Sequence, residues 1–189
     1  MAQLLHLSAG FGADLRSLRK ARGLTLTDLA DQLHRSVGWL SQVERGLSTP
    51  SLADMRHMAG LLDVPVSMLV GPDPANAGEA GTIVRKGHHR DIGREISGLA
   101  ETLLSPDLTD DFEMVRSVFE PGSSISEPVQ RDTQEVAVML SGGLDLTIGA
   151  RAFTVGPGDS FRIKSAPFTW ANPYDTPAEA IWVIAPPVY

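Results

Sequence analysis

Side chains able to do chemistry fall into two groups in this chain. The first lies between residues 35 and 45, where Gln42, Arg35 and Arg45 are types that contact the bases and phosphates of nucleic acids. The second lies in the other half, where Arg116 and Glu135 are set among apolar residues. Cysteine is absent, which excludes disulfides and cysteine-ligated metal sites.

Histidine is another common metal ligand, and the five histidines are scattered along the chain. His88 and His89 are neighbours near a predicted strand, so they point to opposite faces and at most one can reach a given site. A metal role for one of them stays open beside an ordinary surface or loop position. We expect no bound metal and no other cofactor.

Short helices are predicted to position the first group. Apolar residues recur at helical spacing through residues 11–70, with Gly23 and Gly46 at breaks. Thr25 and Asp28 have capping-box spacing, Ser36 can cap a third helix, and Pro50-Ser51 opens a fourth. We therefore predict a five-helix domain over residues 1–70.

Strands are predicted to position the second group. Residues 71–81 have the Gly, Pro and Ala composition of a linker, and beyond them short apolar segments follow a period of two. This pattern indicates an all-β sandwich or barrel over residues 82–189. The predicted strands are 82–86, 97–104, 111–119, 134–140, 143–148, 151–155, 159–163, 168–172 and 178–185.

Residues 24–64 resemble the helix-turn-helix of the xenobiotic-response-element (XRE) family, which includes phage repressors. The resemblance is carried by Leu29-Ala30, by the run from Ser41 to Gly46, and by Pro50-Ser51. It implies a recognition helix over residues 37–45 that enters the major groove of DNA. Two residues depart from the pattern: His34 replaces the usual turn glycine, and Trp39 is large for a groove-facing position.

The resemblance also implies which side chains face DNA. With Leu40 and Val43 buried, the outward residues would include Gln42, which can bond bidentately to adenine. Arg35 and Arg45 suit phosphate contacts, and Trp39 either packs at the domain surface or touches a thymine methyl. The predicted DNA-binding residues are Arg35, Val37, Gly38, Trp39, Ser41, Gln42 and Arg45.

The second half resembles a cupin, the double-sheet jelly-roll barrel. Gly122, Glu135 and Gly142 keep the spacing of the first cupin motif, and the segment from Phe168 to Asn172 keeps that of the second. Metal-binding cupins hold their metal with three His and one Glu. Here the matching positions are Pro128, Gln130, Phe168 and Glu135, which cannot form such a site.

A cavity without metal can still bind an organic molecule. By analogy with the cupin ligands Gln130 and Glu135 face inward, and Phe168 and Trp170 share one face by alternation. Arg116 joins this predicted effector pocket if the face of Phe112, Met114 and Val118 is the interior. Its partner would then be Glu135 or a ligand carboxylate.

The domain order resembles bacterial two-domain transcription regulators. It implies a cytoplasmic homodimer, not an enzyme and without a membrane segment, that binds a double-stranded DNA operator and senses a small-molecule effector. Residues 1–70 carry a net charge of +1 and residues 71–189 one of −8, so the first half would contact DNA. The alternatives are a metal-dependent enzyme resembling phosphonate epoxidases, a barrel that only dimerises, and an antitoxin-like interaction protein.

Overall fold

The computed structural model describes residues 10–71, 77–93 and 96–187. They divide into two compact units. The first contains the chain up to Arg90 together with Pro106–Thr109, and the second contains Asp91–Ser105 and the chain from Asp110 onward. No helix in the described part is long and apolar enough to cross a bilayer.

The first unit contains the five predicted helices. They are α1 (Phe11–Ala21), α2 (Leu26–Gln32), α3 (Val37–Glu44), α4 (Leu52–Leu62) and α5 (Val66–Leu69). Thr25 caps α2 and Ser51 caps α4, each with the reciprocal bond of a capping box, and Ser36 caps α3. These local hydrogen bonds satisfy backbone N–H groups that have no partner within the first turn of a helix. The helix starts could therefore be predicted from the sequence.

Two features hold α1 tightly against α3. A Cβ atom on Gly12 would lie 2.5 Å from the Val43 carbonyl oxygen, so the backbones approach more closely than any other residue permits. Arg19 donates to both carboxylate oxygens of Glu44 at 2.6 and 3.0 Å, and a third bond reaches the Leu24 carbonyl. This hydrogen bonding to Glu44 raises the pKa of Arg19 although burial opposes the charged form.

The described residues form nine strands. Eight of them lie wholly in the second unit, which also contains Asp91 of the first strand. The strands are β1 (Arg90–Asp91), β2 (Leu99–Leu103), β3 (Glu113–Phe119), β4 (Gln134–Ser141), β5 (Leu144–Ile148), β6 (Arg151–Val155), β7 (Ser160–Lys164), β8 (Phe168–Ala171) and β9 (Ala178–Ala185). Two sheets have the orders β1-β2-β3-β9-β4-β7 and β6-β5-β8. Phe119 and Trp170 join the inner faces with ring centroids 4.7 Å apart.

Eight of the nine predicted strands are present, but the prediction of a strand over residues 82–86 is wrong. The backbone N–H groups of Thr82 and Ile83 both donate to the Glu79 carbonyl, and Arg85 forms an ion pair with Glu79. Local turn bonds have therefore replaced strand pairing there. The segment belongs to the helical unit.

The six-stranded sheet buries one face and exposes the other. On β4 the buried side chains are Glu135, Ala137 and Met139. Their alternating neighbours are largely apolar yet exposed, because they lie on the outer face of the sheet. With a cross-strand neighbour on β9 they form an apolar patch 37–46% exposed: Val136, Val138, Leu140 and Val183.

Candidate DNA interface and barrel cavity

A tight turn joins α2 to α3. His34 occupies it with a φ of 55°, the left-handed conformation for which the sequence pattern usually supplies glycine. The His34 N–H donates to the Asp31 carbonyl and the Arg35 N–H to the Ala30 carbonyl, which closes the end of α2. The turn therefore keeps its geometry with histidine in place.

The outer face of α3 is available for contact. Leu40 and Val43 are buried as predicted, whereas Gln42, Gly38 and Arg45 are exposed. Val37 is 39% exposed at the start of the helix, and Ser41 is half-buried. The Arg45 Nε donates to the Ser41 carbonyl at 3.1 Å, which draws the guanidinium over the last turn of the helix. Hydrogen-bonding groups and one apolar side chain thus share one exposed face of the helix.

Arg35 has a fixed position beside this face. Its guanidinium donates to both carboxylate oxygens of Asp54 and lies 5.0 Å from the ring centroid of Trp39. Although burial opposes it, hydrogen bonds from Ser51 and Arg35 lower the pKa of Asp54. Trp39 is half-buried under the guanidinium, which agrees with the packing alternative for this residue.

The second unit contains a narrow cavity of about 30 Å³ between the two sheets. Its walls are mainly apolar and aromatic, and its polar side chains come from the six-stranded sheet and the segment before β4. The residues that define its chemistry are Glu101, Ser117, Arg131, Glu135, Trp170 and Trp182. Phe168 also lines it, so Glu135, Phe168 and Trp170 lie where the sequence placed them.

The polar groups of the cavity are partly paired with one another. Glu135 is 2% exposed and accepts a hydrogen bond from Thr133 at 2.8 Å and one from Arg131 at 3.3 Å. Ser117 donates to Glu101 at 3.1 Å. The Arg131 guanidinium lies 5.9 Å from the Phe168 ring centroid, so Arg131 sits against the aromatic wall of the cavity.

Two predicted pocket residues lie elsewhere. Arg116 is on the outer face of β3, where it donates to both carboxylate oxygens of Glu179 at 2.6 and 2.9 Å, so the prediction that it faces the interior is wrong. Gln130 is exposed and donates to the Ser165 carbonyl. The predicted inward orientation of Gln130 is also wrong, because Val129 and Arg131 take the inward positions of this segment.

Comparison with known protein families matches both units. A helix-turn-helix domain model matches residues 11–69, and a cupin domain model matches residues 115–184. The chain combines a helix-turn-helix domain with a cupin domain. Both domain types predicted from the sequence are therefore confirmed.

Curated relatives match mainly through the helix-turn-helix domain. The immunity repressor protein of Bacillus phage phi105 is 29% identical over 51% of this chain and 66% of its own length. The HTH-type transcriptional regulator DdrOP3 of Deinococcus deserti is 41% identical over 30% of this chain and 43% of its own length. The chain thus covers less than two thirds of each relative.

A solved structure is similar over nearly the whole length of the chain. It is an HTH_3 family transcriptional regulator from Vibrio cholerae, 21% identical, with a TM-score of 0.43 over 97% of this chain and 98% of that one.

Among the described residues of both domains, no group of three or more His, Asp or Glu side chains could hold a metal ion. His88 and His89 are half-buried in the helical unit rather than in the cupin cavity. Neither lines the cavity. The absence of a metal therefore stays a prediction with an experimental test.

Sequence reasoning missed four residues with polar groups in the cupin cavity: Glu101, Ser117, Arg131 and Trp182. Glu101 lies two residues from the buried Leu103, and Trp182 lies two residues from Ala180 and from Ile184. Residues two apart on a strand share a face, so a period-two pattern was present in the sequence. On β9 both alternating sets are apolar apart from Glu179, so the sequence does not show which face is the inner one. For Arg131 no such signal exists, because its segment is not a regular strand.

Proposed function

We propose that this chain is a transcription regulator whose helix-turn-helix domain binds an operator in double-stranded DNA. The observation that supports it best is the exposed face of α3, where Gln42 and Arg45 stand on a helix fixed by the buried Leu40 and Val43. The relatives of this domain are named repressors and regulators. Arg35 contributes as a positioned cation beside the groove, held by Asp54.

The test is operator binding measured by fluorescence anisotropy, with the operator selected from random duplexes. Gln42→Ala should weaken binding by about 1–3 kcal/mol at one base pair and relax the preference there. Arg45→Ala should weaken binding to all duplexes and flatten the salt dependence. Gln130→Ala is the matched control, since it removes an exposed glutamine of the cupin domain. Equal base preferences in Gln42→Ala and Gln130→Ala would refute the base-reading role.

We further propose that the cupin domain binds a small-molecule effector rather than acting as an enzyme. The supporting observation is a cavity with aromatic walls and a few polar side chains, which is the composition of a ligand site. Of the positions that match metal ligands in cupins, Glu135 alone has an imidazole or carboxylate side chain, and Gln130 offers only a weakly ligating amide. Effector binding changes operator affinity only if the effector prefers one arrangement of the chain over another.

The functional unit is proposed to be a homodimer, because one recognition helix covers only half of a two-fold operator. The apolar patch Val136, Val138, Leu140 and Val183 is the surface that a second copy would cover. The same face contains the Arg116–Glu179 pair, which supplies both charges to a self-complementary contact. Val138→Lys should produce a monomer in light scattering, whereas Thr147→Lys, on an exposed position of the other sheet, should not.

A further inference from the structure

We propose that Asp54 is a positioning residue for DNA selectivity: it holds the Arg35 guanidinium where it reaches a backbone phosphate only in the register of the operator complex. The inference rests on the proposed operator binding by the helix-turn-helix domain and goes further, because it identifies residues that separate operator from other DNA without reading a base. It comes from three observations: the bonds that Arg35 makes, the ring beneath it, and a contrast between two capping boxes.

One edge of the Arg35 guanidinium is fully occupied. Its Nε donates to Asp54 Oδ1 at 3.0 Å, and its Nη2 donates to Oδ1 at 2.8 Å and to Oδ2 at 3.2 Å. Its Nη1 makes no hydrogen bond within the residues that the structure describes, and the side chain is 48% exposed. The guanidinium thus has a fixed edge and a free edge. The free edge offers N–H donors, which suit a phosphate oxygen.

A ring of the recognition helix lies beneath the same guanidinium. The Arg35 carbon Cζ is 5.0 Å from the ring centroid of Trp39, within the range of a cation–π contact. Trp39 is the third residue of α3, and its backbone N–H donates to the capping side chain of Ser36. Asp54 on α4 and Trp39 on α3 therefore hold the guanidinium from two helices, so its position is tied to the helix that reads the bases.

The helices α2 and α4 each begin with a capping box, and the two boxes differ in one respect. In the first, Asp28 bonds to the backbone N–H and the hydroxyl of Thr25, and no basic side chain pairs with it among the described residues. In the second, the same bonds join Ser51 to Asp54 Oδ2, and Oδ1 accepts from Arg35. Capping requires no arginine, as the α2 box shows, so the pairing of Arg35 with Asp54 has another role.

The pairing changes what Arg35 contributes to DNA binding. Arg35 and Asp54 together have no net charge, so the pair adds little to the sequence-independent attraction between a protein and any duplex. A guanidinium in a fixed position donates to a phosphate only where the docking of the helix brings that phosphate to Nη1. In non-operator complexes the protein slides and hops along the duplex, and only an arginine free to move could follow the phosphates. Asp54 thus lowers the affinity for other DNA and keeps the contact in the operator complex.

The test measures operator and random-duplex affinities of the intact chain by fluorescence anisotropy over a series of salt concentrations. Asp54→Asn weakens the hold on Arg35 and adds one net positive charge, while the asparagine oxygen can still cap α4. We expect tighter binding to random duplexes and a slope of log affinity against log salt that is steeper by about 0.9. The ratio of operator to random-duplex affinity should fall by about threefold to tenfold, the contribution of one hydrogen bond.

Asp28→Asn is the matched control, because it makes the same charge change in the other capping box. It should change the affinities for operator and random duplexes in equal proportion and leave their ratio as it is. An equal ratio in Asp54→Asn and Asp28→Asn would overturn the inference, since the effect would then be one of general charge.

A charge-matched double variant isolates the fixed contact. Arg35→Met/Asp54→Asn keeps the net charge of the pair at zero, so its salt dependence should equal that of the parent. It lacks the Nη1 donor and should bind the operator about tenfold less tightly, with its affinity for random duplexes unchanged. Equal operator affinity in the parent and the double variant would show that Arg35 makes no contact with the operator, which overturns the inference.

Two substitutions of Trp39 test the ring. Trp39→Phe keeps an aromatic face beneath the guanidinium, whereas Trp39→Leu removes it. The leucine variant should lower the operator-to-random ratio, and the phenylalanine variant should keep most of it, both with the salt dependence of the parent. Equal losses in the two variants would indicate a direct contact of the tryptophan with DNA and overturn its role beneath Arg35.

The outcomes separate this inference from the proposed function. All ratios are measured at a temperature at which circular dichroism shows every variant folded. Failure to select any operator overturns the proposed function and this inference with it. An operator whose base preference depends on Gln42, together with a ratio that Asp54→Asn leaves unchanged, overturns the inference alone.

Discussion

Removal of one partner from the buried ion pair between Arg19 and Glu44 should strongly destabilise the helix-turn-helix domain. Their side chains are 9% and 6% exposed, and two hydrogen bonds join them. Arg19→Met leaves the Glu44 carboxylate buried without its counter-charge, which costs about 3–5 kcal/mol for such pairs. Whole domains are stable by only about 5–15 kcal/mol, so this loss is a large fraction of the total.

Chemical unfolding followed by circular dichroism at the helical signal measures the effect. Arg16→Met is the matched control, since Arg16 is exposed on the same helix and should change the free energy of unfolding little. The double variant Arg19→Met/Glu44→Met removes both charges and should recover most of the stability lost in Arg19→Met. The reasoning is refuted if Arg19→Met matches Arg16→Met, or if the double variant is less stable than Arg19→Met.

Three further predictions address other parts of the chain. Gly12→Ala should destabilise the helical domain in thermal unfolding, because the added Cβ would meet the Val43 carbonyl. Gly60→Ala has open space around it in α4 and should instead stabilise the domain by about 0.5–1 kcal/mol. Equal shifts in melting temperature for the two variants would contradict the close approach at Gly12. Arg116 holds the pKa of Glu179 below its usual 4.5, so this pair stabilises the cupin domain above that pH, and the stabilisation is lost as the pH falls through the lower pKa of the folded state. Glu179→Gln should therefore lower the melting temperature at neutral pH and not in strong acid. A difference in melting temperature that does not depend on pH would exclude this linkage. A tag-free sample treated with chelator should contain no stoichiometric iron, zinc or manganese by elemental analysis, and retained metal would reopen the enzyme alternative.

Helix boundaries could be predicted from the sequence because the groups that set them are local. The caps at Thr25, Ser36 and Ser51 each bond to a backbone N–H three residues away. The turn at His34 is local in the same way. Such contacts depend on a few consecutive residues, so the local order of side chains is enough to predict where each helix begins.

The inner face of the cupin strands could be predicted only in part. In β3 one alternating set, with Met114 and Val118, is more apolar than the other, which contains Glu113 and Ser117. The structure buries the second set, because this face meets the other sheet, where Phe119 contacts Trp170. Ser117 reaches Glu101 on the neighbouring strand of the same face. Which face is inner is decided by strands distant in sequence, and Arg116 was misplaced for that reason.

The alternation of residues 128–131 determines where metal-ligating side chains could be introduced into this barrel. Val129 exchanges two backbone hydrogen bonds with Phe168, which fixes the orientation of the segment and leaves Pro128 and Gln130 exposed. Histidine side chains introduced at positions 128 and 130 would thus lie on the outside of the domain. A reconstructed centre would instead need Val129→His and Arg131→His, each one residue after the position that motif alignment gives, together with Phe168→His and the existing Glu135.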